Sequence, residues 1–207
     1  YSRVIYGAQI SLIVGFAVAI LASLIGLSIG LVSGFMRRLD GLIMRCMDGL
    51  MSIPPILLAI ALMALTRASV KNVILAITIA EIPRVARLVR GVVLSLREQP
   101  YVDAAIAAGT TTPMIILRHI LPNTVAPLTV QATYICASAM ITEAILSFIG
   151  AGVPSAISPS WGNIMADGRT LWQVHPHIIL FPAVFLSVTV LAVNLLGDGL
   201  RDALDPR

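Results

Sequence analysis

Side chains able to do chemistry are few in this chain, so the first question is whether any of them stand together. Gly26-Leu-Ser-Ile-Gly30 has the form of a serine-hydrolase elbow, which needs a strand, a sharp turn and a histidine partner. Here it lies inside a continuous apolar run, and it reads as membrane helix. His175 and His177 flank a proline and offer two metal ligands with no visible third, short of the set that a zinc site takes. The Gly-Asp-Gly-Leu-Arg run ending at Arg201 lacks the Gly-x-Gly-Asp order of an intramembrane aspartyl protease, and no second membrane Tyr-Asp pair accompanies it. Cys46 and Cys136 show no paired spacing and read as reduced packing residues. No Gly-x-x-x-x-Gly-Lys-Ser/Thr phosphate loop occurs. No catalytic residue and no metal site are expected. What remains is a set of charged groups in unusual surroundings: Glu81, Glu143 and the arginines of residues 84–123.

Composition says what must position them. The chain has 207 residues, 58% of them apolar and 12% charged, with a mean hydropathy of +0.96. Soluble domains carry about twice that charge. A bilayer crossing takes roughly 20 apolar residues in helix, which leaves room for five spans and their polar interruptions in one membrane domain. A net charge of +4 would suggest nucleic acid in a soluble protein, but the arginines cluster in particular loops and so report orientation. No nucleic-acid partner is expected.

The first span is expected over 9–35, where Ala22, Gly26, Gly30 and Gly34 recur four apart on one face as a ridge that lets another helix approach closely. Arg37, Arg38, Asp40 and Arg45 then suggest a polar turn before a second span over 46–66, which Pro54-Pro55 bends. That bend either lines a pathway or is purely structural. The third span, 73–90, carries Glu81 near its middle, and Arg84 three residues on is its local partner. An ion pair near the inner boundary is favoured over a substrate contact. Over 124–149, the fourth span, Gln131, Ser138 and Thr142 lie close to one face; such a stripe serves interhelical hydrogen bonding or pore lining. Glu143, near the outer end, is expected to reach water. Residues 150–176 form a second polar stretch whose Trp161 and Trp172 read as interface anchors, and 178–197 is the last span.

Residues 84–123 carry five arginines and cannot lie in hydrocarbon, yet the small and apolar residues after Pro100 recur at helical spacing. Pro100 suits a first turn and Gly109 a left-handed stop. Thr112 can then cap a second helix starting at Pro113, which Pro122 ends. A helix, a hinge and a helix result, held at a membrane face.

Asp103-Ala-Ala105, Gly109 and Leu121-Pro122 reproduce the spacing of the "EAA" loop, so the chain resembles the permeases of ABC importers. Tyr6-Gly-Ala-Gln-Ile-Ser-Leu12, Ala86-Arg-Leu-Val-Arg-Gly91, Leu94-Ser-Leu-Arg97, Glu143-Ala-Ile-Leu-Ser-Phe-Ile-Gly150, Ser160-Trp-Gly162 and the Asn194 to Pro206 run are similar to the dipeptide and oligopeptide branch, over essentially the whole chain. Asp103 stands where the family usually has Glu, Pro100 where a charged residue is common, and His119 fits the Arg-His-Ile-Leu-Pro of the peptide branch.

The resemblance implies an all-α, polytopic transmembrane bundle of the type I importer fold, a single domain over 1–207 with a cytoplasmic coupling loop at 91–122. It implies six spans in the full chain, so that five remain here and one helix is missing upstream of Tyr1. Tyr101, Asp103, Ala104, Ala105, Gly109, Leu121 and Pro122 would contact the ATPase. Gln131, Ser138, Thr142 and Glu143 are candidates for the translocation path or a gate, and the match of Glu143 to the family's Glu-Ala-x-Leu-Ser-Phe motif implies a gate or a packing role. The chain would bind no cofactor itself, ATP and Mg belonging to two cytoplasmic ATPase subunits; its other partners would be a second permease, a periplasmic or extracellular solute-binding protein and the bilayer. The implied function is ATP-driven import of di- or oligopeptides across the inner membrane, with nickel or glutathione as the alternative cargo; an intramembrane hydrolase or a channel ranks lower. With 84–123 and the C-terminus placed inside, ten basic residues lie inside against Arg3, Arg67, Lys71 and Arg169 outside, as the positive-inside rule asks.

Overall fold

The computed structural model of the chain describes residues 2–66, 69–154 and 159–204. Arg67 and Arg207 of the basic-residue count, and the Asp205-Pro206 end of the last motif, lie outside the described residues. The architecture is all-helical: α1 (Ser2–Phe35), α2 (Arg37–Met51), α3 (Pro55–Ala64), α4 (Val70–Leu96), α5 (Pro100–Ala107), α6 (Thr112–Ile115), a π-helical turn (Ile116–Ile120), α7 (Leu121–Ile149), α8 (Trp161–Gly168) and α9 (His177–Leu204).

The centre of the bundle is α1, apolar all round and made narrow by small residues on two faces. A Cβ added to Gly26 would lie 2.5 Å from Val85 Cβ, one on Gly30 2.6 Å from Val89 Cβ, and one on Gly34 2.7 Å from Val93 Cβ. The three valines recur every four residues on α4, a ridge that enters the groove left by the glycines. On the other face, a Cβ on Gly15 would meet Met140 Cγ at 2.7 Å and the Cys136 carbonyl oxygen at 3.1 Å, and this seats α7. Helix α3 packs on α4, while α9 packs on α7 and α8.

Among the described residues three helices are long and apolar enough to cross a membrane: α1, the continuous 38-residue rod Thr112–Ile149, and His177–Ala203. The second span expected over 46–66 is not one rod. Its two pieces, α2 and α3, meet at 84°, and α2 begins at Arg37, so the expected polar turn is itself helical. A residue before proline is driven out of the helical region, and here Pro54 precedes Pro55 and adopts φ −53°, ψ 132°. Two prolines in series therefore turn the chain where one would have kinked it. Helix α4 has the length to cross, 27 residues or about 40 Å at helical rise, but its Lys71, Glu81, Arg84, Arg87 and Arg90 keep it from qualifying on composition.

Ion pairs fasten α2 to the C-terminal half of α4. Asp40 takes two hydrogen bonds from Arg90, at 2.5 and 2.6 Å, and one from Ser33 Oγ at 2.6 Å. Asp48 pairs with Arg87 at 2.5 Å, and Arg97 donates to the Gly34 carbonyl in the last turn of α1 at 3.1 Å. No residue of α2 is fully buried, so the Asp40 and Asp48 pairs add to the packing of its half-buried apolar face. Asp40→Asn keeps the shape and removes the charge, and is expected to cost about 1–2 kcal/mol through the charge-assisted bonds lost. Limited proteolysis of the detergent-purified protein checks this, with faster cleavage within 37–51 expected.

Candidate functional site

The elbow between α4 and α7 is built by proline and glycine. Gln99 is extended ahead of Pro100, which occupies the first turn of α5, where its missing N–H costs nothing. At the far end Gly109 adopts φ +79°, the Gly109 N–H donates to Ile106 and the Thr110 N–H to Ala105 at 2.9 and 3.0 Å. This is a Schellman stop, which glycine fills without strain. Val102 is fully buried and anchors α5, as Ile115 and Ile120 anchor the return. The Tyr101 and His119 rings lie 6.1 Å apart across the elbow. Tyr101, Asp103, Ala104, Gly109 and Pro122 are exposed, whereas Ala105 and Leu121 are half-buried.

Two local expectations are corrected here. Thr111, not Thr112, precedes the second helix, and its side chain makes no capping bond. Pro122 does not end a helix; it sits in the first turn of α7, inside the 38-residue rod. A mid-helix proline removes a donor and crowds the carbonyl four residues back. Here the preceding turn widens, the Leu121 N–H donating to Ile116, five residues earlier. Asn123 Nδ2 then donates to the His119 carbonyl at 2.7 Å, and Thr124 Oγ1 to the Leu121 carbonyl at 2.7 Å. Side chains of the two polar residues after the proline thus add hydrogen bonds to carbonyls on either side of the widened turn.

Between α4, α7, α9 and the start of α3 lies a cavity of about 300 Å³. Of the four residues expected on the path, Ser138 and Thr142 line it, together with Glu81, Arg84, Tyr134 and Asn194. Gln131 does not line it; its Nε2 is buried with no hydrogen-bond partner among the described residues. Glu81 is 2% exposed and its Oε2 accepts from Arg84 Nη1 at 3.0 Å. The Arg84 guanidinium carbon lies 5.4 Å from the centre of the Tyr134 ring, and Ser138 Oγ stands 3.5 Å from Glu81 Oε1. Tyr134 and Asn194 escaped sequence reasoning as cavity residues, although Tyr134 precedes Ser138 by one helical turn.

Glu143 faces elsewhere. It does not reach water: it is 2% exposed, and its oxygens accept from Ser147 Oγ at 2.8 Å and Ser11 Oγ at 3.3 Å. Ser11 Oγ in turn accepts from the Trp161 backbone N–H at 3.4 Å, so one carboxylate joins α1, α7 and α8. Helix α8 opens with a reciprocal Ser160–Asn163 cap. Trp161 is likewise no interface anchor; it is 1% exposed and its indole N–H donates to the Val4 carbonyl at 3.0 Å, while Trp172 is exposed. Close approach explains both, because a Cβ on Gly162 would lie 2.5 Å from Ala144 Cα and α8 is drawn into the bundle. Glu143→Ala is expected to cost about 1–3 kcal/mol for each hydroxyl left buried without its acceptor; thermal unfolding in detergent checks this, with Glu143→Gln milder.

Ser28 of the hydrolase-like motif donates within α1 to the Leu24 carbonyl at 2.9 Å. His175 and His177 stack at 5.5 Å, and among the described residues no group of three His, Cys, Asp or Glu could hold a metal ion.

A glycine-tightened bundle with an apolar exterior, a largely apolar cavity that holds the Glu81–Arg84 pair, and a helical elbow defines a multi-pass membrane permease. The chain belongs to the family described as binding-protein-dependent transport system inner membrane component, whose model matches residues 22–207. It is 57% identical over 207 residues to a probable peptide ABC transporter permease protein, y4tQ, of Sinorhizobium fredii, covering 100% of this chain and 71% of that one. It is 44% identical over 208 residues to the glutathione transport system permease protein GsiD of Escherichia coli, covering 100% of this chain and 68% of that one. Its fold is similar to that of a chain in the inward-facing MetNI methionine ABC transporter, with a TM-score of 0.82 at 21% identity over 98% of this chain and 96% of that one.

Proposed function

We propose that this chain is the permease half of an ATP-driven importer of di- or oligopeptides, moved by separate ATPase subunits through the elbow at 91–122. The observation that carries the reading is the elbow itself. It is pinned from inside by Val102, yet Tyr101, Ile106, Met114 and Leu117 are 42–61% exposed, apolar side chains that a docked partner would cover. Asp103, Ala104, Ala105, Gly109, Leu121 and Pro122 belong to the same contact. Two ATPase subunits would bind the nucleotide and Mg, the chain holding no cofactor of its own. With a second permease it would enclose the path, fed by a solute-binding protein. Alternating access then needs a conformational bias from outside the chain, and ATP-driven closure of the motor subunits supplies it.

The 84–123 stretch and the C-terminus are assigned to the cytoplasmic face by the basic-residue balance. Ser138 and Thr142 are assigned to the path because they line the cavity, Gln131 and Glu143 to helix packing around it. Peptide cargo is favoured over glutathione by the higher identity to the peptide-named relative, 57% against 44%. Uptake of labelled di- and tripeptides, glutathione and Ni²⁺ in cells with and without the gene tests this. Peptide uptake that depends on the gene is expected; dependence of Ni²⁺ uptake alone would overturn it.

A further inference from the structure

We propose that Arg84, held by Glu81, is a substrate-contact site on the path and takes the C-terminal carboxylate of a small zwitterionic peptide. The proposal rests on the peptide-import reading and adds the recognition chemistry to it. Three features of the cavity carry it.

The first is asymmetry within the ion pair. Glu81 is enclosed, its side chain 3% exposed, whereas the Arg84 side chain is 36% exposed on the wall of a cavity of about 300 Å³. A pair made only for packing would hide both heads. Here the carboxylate is spent inward and the cation is displayed.

The second is spare donor capacity. A guanidinium has five N–H donors in a rigid fork, and Glu81 takes a bond from Nη1 alone. Tyr134 faces the guanidinium carbon at 5.4 Å, so the head is oriented from two sides while most of its donors stay uncommitted among the described residues. A planar, pre-oriented fork with free donors is what bidentate carboxylate recognition requires.

The third is charge balance. Glu81 and Arg84 together are neutral, which limits the cost of placing them at the inner end of a membrane bundle. A zwitterion brings its own ammonium with its carboxylate and leaves the site neutral. An anion adds net charge to a poorly hydrated space, and a divalent metal ion meets the guanidinium head-on. The rest of the lining suits a peptide: Ser138, Thr142 and Asn194 are polar, and Ile56, Ile141 and Val190 are apolar. The volume lies at the small end of ligand-site sizes, enough for a dipeptide.

The test uses the complete transporter, with both permeases, ATPase subunits and binding protein, in proteoliposomes supplied with labelled dialanine. Glu81→Gln with Arg84→Met removes both charges while keeping their bulk, and Arg84→Lys keeps the charge without the fork. The double variant is expected to insert and co-purify with its partners, yet to move dialanine with a kcat/KM about tenfold lower, the loss of one charge-assisted pair, and Arg84→Lys to fall between. Dialanine transport at the wild-type rate by the assembled double variant would overturn the proposal. Should that variant fail to assemble, Ile141→Cys in a Cys46→Ser background decides: saturating dialanine is expected to slow thiol labelling at 141 several-fold, and unchanged labelling overturns the proposal. If the wild-type transporter moves no di- or tripeptide at all, the peptide-import reading falls, a result distinct from a wild type that transports and a double variant that transports equally well.

Discussion

Gly30→Leu is expected to remove most of the folded protein from the membrane fraction. A Cβ at this position would stand 2.6 Å from Val89 Cβ and 2.8 Å from the Ala86 carbonyl oxygen, and both atoms are fixed to the α4 backbone. No rotamer change relieves either contact, so α1 and α4 must part. Their seam continues through Gly26 and Gly34, which have Val85 and Val93 as their opposing atoms, and separation at the middle opens both ends. Overpacking a core costs about 1–3 kcal/mol where side chains can adjust; with backbone opposing, the upper end or beyond is expected. Gly41→Leu supplies the control, because a Cβ there meets nothing within 4 Å. Membrane abundance and thermal unfolding in detergent are the readouts. Wild-type values for Gly30→Leu would mean that the seam between α1 and α4 is not what holds the bundle.

The spacing of these glycines is legible in the sequence because membrane helices associate through shape, and shape in a helix is written at every fourth residue. The partner ridge was not legible: Val85, Val89 and Val93 look like any apolar stripe until α4 is placed. The elbow was readable for a similar reason, since Pro100 and Gly109 impose backbone states that few other residues share. Reading failed where a proline had company. Pro54-Pro55 together turn the chain by 84°, whereas at Pro122 the helix runs on because the turn before it widens, the Leu121 N–H reaching back five residues to Ile116. Glu143 and Trp161 were misplaced for another reason. Both lie near helix ends, where water is the default partner, but Gly162 lets α8 approach α7 closely enough to bury them. Such tertiary closeness depends on residues far apart in the chain, and no local pattern announces it.

Gly109→Val is expected to leave the protein inserted and to uncouple ATP hydrolysis from uptake. The site has open space, since a Cβ there meets nothing within 4 Å, so the objection to a side chain is conformational. At φ +79° an L-residue pays roughly 1–2 kcal/mol, and a β-branched one has the fewest ways to relieve it. The elbow has a cheaper escape than the bundle: fraying the last turn of α5, which is only 8 residues long and held inside chiefly by Val102. The hydrogen bonds from Gly109 to Ile106 and from Thr110 to Ala105 would go, and with them the angle between α5 and the helix that returns to the membrane. An elbow that bends under load cannot pass on a displacement, even when its contact residues are intact. Gly109→Asn separates the two causes, because asparagine tolerates the left-handed region while adding more bulk than alanine would. Peptide moved per ATP hydrolysed is expected to fall at least several-fold in Gly109→Val and to stay near wild type in Gly109→Asn. Equal loss in both would point to a contact through the glycine surface itself, and wild-type coupling in both would remove the elbow's rigidity from the mechanism.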